Sequence, residues 1–366
     1  MNGAMIESEA ERLRDELVAR LVADGAVTSL AWQAAFAEVP RHVFVPVFYR
    51  QSPTEQPAVD ASTPSEWLEG VYSDQLLVVS PDVKSSSTVP SLMAVMLEAL
   101  DPADGDRVLE IGTGTGYNAA LLSHRLGDRN VVSVDIAADL VSDAKSRLAS
   151  IGYHPTLGVG DGVDGWPGEA PYDGIIATCA PDAVPGAWLG QVRPGGRIVA
   201  PIATGVAVID VAPGRKGMGR FLPGGAYFMP LRATPGQVDL GSQIADITSA
   251  IAPVRTTDLG ETIWFDDDFQ FVLSAALPGL RFLTKLAESG ITIFTDADGS
   301  WARLDGGAVA QGGPQRLWDA VENAHRQWDG VGRPTRDKFS ITVDGGAQHI
   351  RLDGHGVEWR LGRVIP

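Results

Sequence analysis

Apolar residues recur along the chain with two different spacings, and each spacing predicts one kind of element. Near the N-terminus, Leu13, Leu17 and Leu21 repeat every four residues, which predicts an amphipathic helix that ends at Gly25. From Arg107 onward, short apolar runs alternate with longer amphipathic stretches. This alternation predicts a parallel sheet whose strands are buried beneath helices on both faces.

Five apolar runs between residues 107 and 202 predict the strands of this sheet. They read, in chain order, RVLEIG, NVVSVD, PTLGVGDG, YDGIIATCA and GGRIVAPIA. Helices are predicted between the strands over 118–126 and 138–151, and another helix precedes the sheet over 89–100. The predicted fold class is therefore α/β, with a Rossmann-like parallel sheet.

Two regions depart from the alternation. Residues 51–70 contain three prolines and few large apolar side chains, which predicts a surface loop. After Arg232 the pattern changes to short helices and strands, and the chain closes on an antiparallel meander with Asp-Gly turns. We therefore divide the chain into residues 1–232, with a helical N-terminus over 1–46 and an insertion over about 47–70, and an added α+β domain over 233–366.

Composition and charge narrow the possible partners. Hydrophobic residues make up 44% and charged residues 20% of the chain, which is typical of a globular protein. With 46 acidic and 29 basic residues, the net charge of −17 argues against nucleic acid or an anionic membrane as a partner. A single cysteine excludes an internal disulfide, and the six histidines have no metal-site spacing, so no metal is expected. No secretory signal or membrane span is recognisable, and we expect a cytoplasmic protein.

The ends of three successive predicted strands carry the strongest chemical signal. Glycines follow the first strand in EIGTGTG, and such glycines let the backbone approach a ligand. Asp135 ends the second strand, where a carboxylate can bind ribose hydroxyls, and Asp161 ends the third, where it can bind an adenine amine. The loop has no Lys or Arg for a phosphate, and Glu110 places negative charge beside it, which favours the sulfonium of S-adenosylmethionine over a dinucleotide. The predicted cofactor-binding residues are Glu110, Gly112, Thr113, Gly114, Gly116, Asp135, Ile136, Asp161 and Gly162.

The chain resembles the protein-L-isoaspartate O-methyltransferase family over about residues 30–232. The resemblance is carried by VPRHVFVP at 39–46, YSD at 72–74, TVPSLMAVML at 88–97, VLEIGTGTGYNAALL at 108–122, GDGVDGWP at 160–167, APYDGIIATCAPDAVP at 170–185 and RPGGRIVAPI at 193–202. It implies the class I S-adenosylmethionine-dependent methyltransferase fold. It also implies methyl transfer to the carboxylate of an isoaspartyl or aspartyl residue, with S-adenosylhomocysteine as the second product.

The acceptor carboxylate is ionised at neutral pH, so attack on a methyl group needs orientation rather than a general base. Hydroxyl donors suit this task, and four of them lie before the helix predicted from residue 89. The family pattern is Ser-Gln-Pro, whereas this chain has Thr88-Val89-Pro90, which indicates an altered acceptor site. The predicted catalytic residues are Thr88, Ser87 and Ser86, and the predicted substrate-binding residues are Ser85, Val89, Tyr72 and Asp74. Helix capping by the hydroxyls, a turn motif at 72–74 and a structural role for Arg41 are the alternatives.

The segment after Arg232 resembles that of actinobacterial homologues associated with ribosomally made peptides such as lanthipeptides. In that group, methylation of aspartate leads to an aspartimide and then to isoaspartate. The expected partner is therefore a peptide or protein that bears aspartate or isoaspartate, and the added domain would select it or form an oligomer. The alternatives are a general isoaspartyl repair enzyme, an inactive cofactor-binding scaffold and a small-molecule methyltransferase.

Overall fold

The computed structural model arranges the chain in three sheets, with helices packed on the faces of the largest one. It describes residues 3–50, 57–80, 85–231, 240–259, 263, 266–285, 291–296, 298–344 and 346–361. Within these ranges, no helix has both the length and the apolar character that crossing a bilayer requires.

Helices and strands follow one another through most of the described chain. The helices are α1 Gly3–Ala23, α2 Leu30–Glu38, α3 Arg41–Phe44, α4 Pro64–Val71, α5 Pro90–Leu100, α6 Tyr117–Leu126, α7 Ala138–Ser150, α8 Gly186–Gln191, α9 Leu240–Ser249, α10 Asp267–Ala276 and α11 Leu317–Gly330. The strands are β1 Val47–Tyr49, β2 Ala58–Asp60, β3 Leu77–Ser80, β4 Ser85–Ser87, β5 Val108–Ile111, β6 Val131–Asp135, β7 Thr156–Val159, β8 Tyr172–Ala177, β9 Val192–Ile202, β10 Gly205–Ala212, β11 Lys216–Phe221, β12 Val254–Thr256, β13 Arg281–Lys285, β14 Thr292–Thr295, β15 Trp301–Asp305, β16 Ala308–Gly312, β17 Phe339–Asp344, β18 Ala347–Leu352 and β19 Glu358–Leu361. The strands and helices predicted between residues 107 and 202 are all present.

The largest sheet has ten strands in the order β19-β18-β17-β11-β10-β9-β8-β5-β6-β7. Strands β7, β6, β5, β8 and β9 run parallel, whereas β10, β11, β17, β18 and β19 add an antiparallel half. From β5 the chain first adds β6 and β7 on one side, and it then adds β8 and β9 on the other side of β5. The order of the strands therefore reverses between β5 and β8. In sheets of this kind, ligands bind outside the carboxyl ends of the strands at such a reversal.

Strand β5 shows why the sheet is apolar on both faces. All four of its residues are buried. Leu109 and Ile111 belong to one hydrophobic core, whereas Val108 belongs to another. The core that contains Val108 includes residues of α1, α2, α4, α5 and α6. The core that contains Leu109 and Ile111 includes residues of α8, α10 and α11. Successive side chains of a strand point to opposite faces of the sheet. A strand that lies between two cores therefore carries apolar residues on both faces.

The insertion over about 47–70 is more ordered than a surface loop. Strands β1 and β2 pair within it, and they join β3 and β4 in a four-stranded sheet of order β2-β1-β3-β4. Helix α4 buries Trp67, Leu68 and Val71, although the three prolines of residues 51–70 predicted a loop. One of those prolines, Pro64, stands in the first turn of the helix, where its missing N–H costs nothing. Residues 51–56 lie outside the described residues.

The region after residue 232 shares the core of the methyltransferase-like half. Strands β12 to β16 form a five-stranded sheet, whereas the closing meander β17-β18-β19 pairs with β11 and so extends the central sheet. Phe269 and Trp318 lie in the same hydrophobic core as Leu109 of β5. The meander was predicted, but its position against the central sheet was not. The boundary between residues 232 and 233 remains a prediction, since 232–239 lie outside the described residues.

Candidate active site

The glycine-rich loop leaves β5 in a backbone conformation that requires glycine. Gly112 has φ +98° and Gly116 has φ +89°, both in the left-handed region. A Cβ on Gly112 would lie 2.6 Å from Oγ1 of Thr178, and one on Gly116 would lie 3.0 Å from Cβ of Ala144. The loop is held against β6 by a hydrogen bond of 2.8 Å from the Gly112 N–H to the carbonyl of Val134. Side chains at these glycines would therefore collide with the sheet and with α7.

Asp135 reaches from the end of β6 to this loop. One carboxylate oxygen accepts a hydrogen bond from the Gly114 N–H at 2.9 Å, and the other accepts one from the Ala137 N–H at 3.0 Å. Each oxygen keeps lone-pair capacity for a hydroxyl donor. Ile136 is 37% exposed, which is unusual for isoleucine, and it offers an apolar surface next to the carboxylate. These features are compatible with the prediction that Gly114, Asp135 and Ile136 bind the cofactor, with the ribose hydroxyls at Asp135.

Asp161 and Gly162 lie at the end of the neighbouring strand β7. Asp161 is half-buried, and its Oδ1 accepts the Val163 N–H at 2.9 Å. The Gly160 N–H donates to the carbonyl of Asp135 at 3.0 Å, so the ends of β6 and β7 are joined. Leu231 packs over Gly162, where an added Cβ would lie 2.8 Å from Leu231 Cδ1. Leu231 was not predicted for this edge because it lies about 70 residues away in the sequence.

Glu110, which was predicted to contact the cofactor, directs its side chain into the protein interior at the start of the glycine-rich loop. Its side chain is fully buried, and its two oxygens accept hydrogen bonds from Nδ2 of Asn118 at 2.7 Å and Oγ of Ser133 at 2.5 Å. The Ser133 hydroxyl also lies 2.6 Å from Oγ1 of Thr113, which is buried too. Burial raises the pKa of Glu110 to about 7, against the two donors that lower it. Glu110 and Thr113 therefore anchor the start of the glycine-rich loop to β6 and α6 through buried hydrogen bonds.

The residues predicted to bind the acceptor lie just before helix α5, and three of them form the short strand β4, here called the acceptor strand. Ser85, Ser86 and Ser87 form β4 and pair with β3, so their side chains alternate. Ser85 and Ser87 are buried, whereas Ser86, Thr88 and Val89 are half-buried. Helix α5 begins afterwards with Val89 as its N-cap and without a side-chain cap, so the alternative reading as capping hydroxyls does not hold.

Asp74 and Tyr72, which were predicted to bind the substrate, each have a hydrogen-bond partner within the chain. Asp74 Oδ1 accepts the Ser91 N–H at 2.8 Å in the first turn of α5. Tyr72 is buried, and its hydroxyl lies 2.8 Å from Nδ1 of His42. Burial raises the pKa of Tyr72 to about 12.

Arg41 connects the backbone on either side of Tyr72 with the acceptor strand. Its guanidinium donates to the carbonyls of Val71 and Thr88 and to Oγ of Ser87, at 2.6, 3.1 and 3.1 Å. Its Cζ lies 5.9 Å from the ring centroid of Tyr117, the residue that follows the glycine loop. The acceptor strand and the glycine loop therefore meet at Arg41. In the sequence, Arg41 was recognisable only as the arginine between two prolines in VPRHVFVP, and this position was interpreted as structural.

Cys179 and the histidines provide no competing chemistry here. Burial raises the pKa of the Cys179 thiol to about 12, and the charges of Asp135, Glu110 and Asp161 raise it further. The thiol is therefore not ionised at neutral pH, and the nucleophilic thiolate is not formed. Among the residues that the structure describes, no three His, Cys, Asp or Glu side chains lie close enough together to hold a metal ion.

The fold and this edge of the sheet define a class I S-adenosylmethionine-dependent methyltransferase.

Comparisons with known proteins identify the family. The model of the family described as Protein-L-isoaspartate(D-aspartate) O-methyltransferase (PCMT) matches residues 11–212. This match covers more than half of the chain, and the chain therefore belongs to that family. The protein is an S-adenosylmethionine-dependent carboxyl methyltransferase with the isoaspartate O-methyltransferase activity of this family.

Relatives and a solved structure agree with this assignment. The protein-L-isoaspartate O-methyltransferase of Halorhodospira halophila is 41% identical over 203 residues, which is 55% of this chain and 82% of the relative. Protein-L-isoaspartate O-methyltransferase 1 of Archaeoglobus fulgidus is 35% identical over 224 residues, 61% of this chain and 90% of the relative. A solved protein-L-isoaspartate O-methyltransferase superposes with a TM-score of 0.53 at 25% identity and covers 93% of this chain and 99% of its own.

Proposed function

We propose that this methyltransferase binds its acceptor carboxylate at Ser86, Ser87 and Thr88 and methylates an aspartyl or isoaspartyl residue within a peptide. The observation that supports this most is the placement of hydroxyls on β4, held by Arg41 beside the first residue of α6. Ser86 and Thr88 lie at alternate positions of an extended segment and are half-buried, so a ligand can reach them.

The chemistry of this site suits an acceptor that is already a nucleophile. A carboxylate with a pKa near 4 needs no proton removed at neutral pH, so the residues have only to orient it and exclude water. Neutral hydroxyls can orient a carboxylate through single hydrogen bonds, and they leave a lone pair for attack on the methyl group. A direct ion pair would lower the energy of the carboxylate before reaction and so raise the barrier.

A narrower proposal is that the enzyme tailors a ribosomally made peptide. It rests on the change from Ser-Gln-Pro to Thr88-Val89-Pro90 on the acceptor side, while the cofactor edge keeps the family pattern. Methylation of aspartate would then be followed by attack of the next backbone nitrogen on the ester carbonyl carbon. The nitrogen loses its proton, methanol leaves and an aspartimide forms, which water can open to isoaspartate. In this proposal, the residues after 232 select the peptide, or pair two copies of the chain, in the cytoplasm.

General isoaspartyl repair is the second candidate, and a specific observation favours it. The solved family member covers 93% of this chain, so the similarity extends well past residue 232. A solved protein-L-isoaspartate O-methyltransferase therefore carries a similar extension. The extension does not by itself indicate that the enzyme tailors a ribosomally made peptide. The shared core of the two regions also favours a structural contribution from the extension.

Intact-mass analysis of two matched peptides separates the candidates. The peptides have one sequence and differ only in an aspartyl or an isoaspartyl residue at the same position. General repair predicts the mass gain of one methylene on many isoaspartyl peptides and none on the aspartyl partners. Tailoring predicts no gain on arbitrary isoaspartyl peptides, and a net loss of one water on an aspartyl peptide encoded beside the gene.

A calorimetric titration with S-adenosylmethionine tests the remaining alternative, an inactive scaffold. Binding together with methylation of any of these peptides excludes the scaffold. Binding without methylation of any isoaspartyl or aspartyl peptide would contradict the proposed acceptor.

A further inference from the structure

Arg41 is a buried cation that lacks a carboxylate partner among the described residues. Its side chain is 0% exposed, and its four hydrogen bonds all go to neutral oxygens, those of Val71, Ser73, Ser87 and Thr88. The described chain gives it no Asp or Glu oxygen within 4.0 Å, and its buried Nε has no hydrogen-bond partner there. Asp74 acts on Arg41 through its charge, but this carboxylate is exposed and accepts the Ser91 N–H.

A second buried arginine shows how this chain otherwise accommodates such a charge. Arg336 is 1% exposed, and its guanidinium forms ion pairs with Asp268 at 3.1 Å and Asp267 at 3.3 Å. Removing an ion from water without a partner of opposite charge is unfavourable. Arg336 has that compensation, whereas Arg41 has only dipoles and the ring of Tyr117. Arg41 is therefore a site of positive potential that an incoming anion can neutralise.

The position of Arg41 indicates which anion this is. Its Nη2 donates both to Oγ of Ser87 and to the carbonyl of Thr88. Because Ser87 accepts this hydrogen bond, its own hydroxyl proton can be donated elsewhere, and the neighbouring cation makes it a stronger donor. Burial lowers the pKa of Arg41 to about 10, so the guanidinium keeps its charge at neutral pH.

We propose that Arg41 is a positioning residue that gives the acceptor site its preference for a carboxylate, acting through the Ser87 hydroxyl and the Thr88 backbone. The guanidinium does not touch the substrate in this arrangement. Its field attracts the anion, while the hydroxyls make the contact and leave the attacking lone pair free. This inference rests on the proposed binding of the acceptor at residues 86–88.

The test compares two peptides that differ only in the acceptor group, an isoaspartyl carboxylate in one and the corresponding carboxamide in the other. Affinity is measured with S-adenosylhomocysteine bound, so that no turnover occurs. We expect the wild-type enzyme to prefer the carboxylate by about tenfold or more, and Arg41→Gln to lose most of that preference. Arg41→Lys should keep much of it because the charge remains.

Arg336→Gln is the matched control, since it removes a buried guanidinium away from the acceptor strand. It should lower the melting temperature and leave the preference unchanged. If Arg41→Gln does not fold, Ser87→Ala carries the test, because loss of the intervening hydroxyl should also reduce the preference.

Three results would overturn the inference, and they differ in what else they overturn. Full preference retained in Arg41→Gln, or in Ser87→Ala where the former does not fold, would make Arg41 a purely structural residue. Equal weakening of both peptides would lead to the same conclusion. No preference in the wild-type enzyme would overturn the proposed acceptor site as well.

Discussion

The cofactor edge and the acceptor strand of this enzyme are built in different ways. At the cofactor edge, Gly112, Asp135 and Asp161 follow three neighbouring parallel strands, and short hydrogen bonds join those strand ends. The acceptor strand β4 belongs to a separate antiparallel sheet, and Arg41 of α3 holds it from a distance of about 46 residues in sequence. One region is set by local topology and the other by long-range contacts. We therefore expect substitutions to affect the two regions independently.

Deletion of residues 233–366 should have the largest effect and should abolish both regions together. It removes β17, which pairs with β11, and it removes Phe269 and Trp318 from the core that also contains Leu109. We expect the shortened protein to lose cooperative thermal unfolding and cofactor binding, measured by calorimetry. A shortened enzyme that is folded and equally active on every peptide would contradict this expectation and the peptide-selecting role of the extension.

Thr88→Val should separate the regions most clearly. The substitution keeps the shape of the side chain and removes one hydroxyl, so we expect the methyl-transfer rate to fall by about 100-fold. The affinity for S-adenosylmethionine should stay within about twofold, because Thr88 lies on the acceptor side. Steady-state kinetics and titration calorimetry measure the two effects. Thr88→Ser is the control that should restore most of the rate, and full activity in Thr88→Val would refute the acceptor assignment.

Asp135→Ala should give the reverse result. It removes the carboxylate that lies against Gly114 and Ala137, and we expect cofactor affinity to fall by about 30-fold, in keeping with lost hydrogen bonds to a charged group. Peptide affinity should change little. Asp143→Ala, an exposed carboxylate on α7, is the matched control. Unchanged cofactor affinity in Asp135→Ala would remove this residue from the site.

Glu110→Gln should have the smallest effect on turnover and should appear instead in the pH dependence of stability. Burial raises the pKa of Glu110 to about 7, above its value of about 4.3 in an unfolded chain. The folded state therefore holds a proton that the unfolded state releases, and the wild type loses stability as pH rises from about 4 to 7. Relative to Glu110→Gln, this loss should be on the order of 3 kcal/mol. Denaturant unfolding at several pH values measures it, and parallel curves for both proteins would contradict the raised pKa.

The sequence predicted the cofactor edge better than the acceptor side, for a physical reason. Parallel strands end at a common edge, so Asp135 and Asp161 could be placed from the apolar runs that precede them. Strand β4 could not, because three serines have no apolar alternation and their pairing with β3 depends on contacts outside the segment. The same limit applies to the closing meander, whose turns were predicted but whose pairing with β11 was not. The sequence motif also did not reveal that the Glu110 side chain bonds to Asn118 and Ser133, because the direction of a side chain depends on the folded structure.

A crystal structure of the enzyme with S-adenosylhomocysteine and an isoaspartyl peptide would test the central claim most directly. We expect the ribose hydroxyls at the carboxylate of Asp135 and the acceptor carboxylate within hydrogen-bond distance of the hydroxyls of Ser86 and Thr88. The guanidinium of Arg41 should lie behind them without contact to the peptide. A carboxylate bound directly to Arg41, or bound away from β4, would contradict the account.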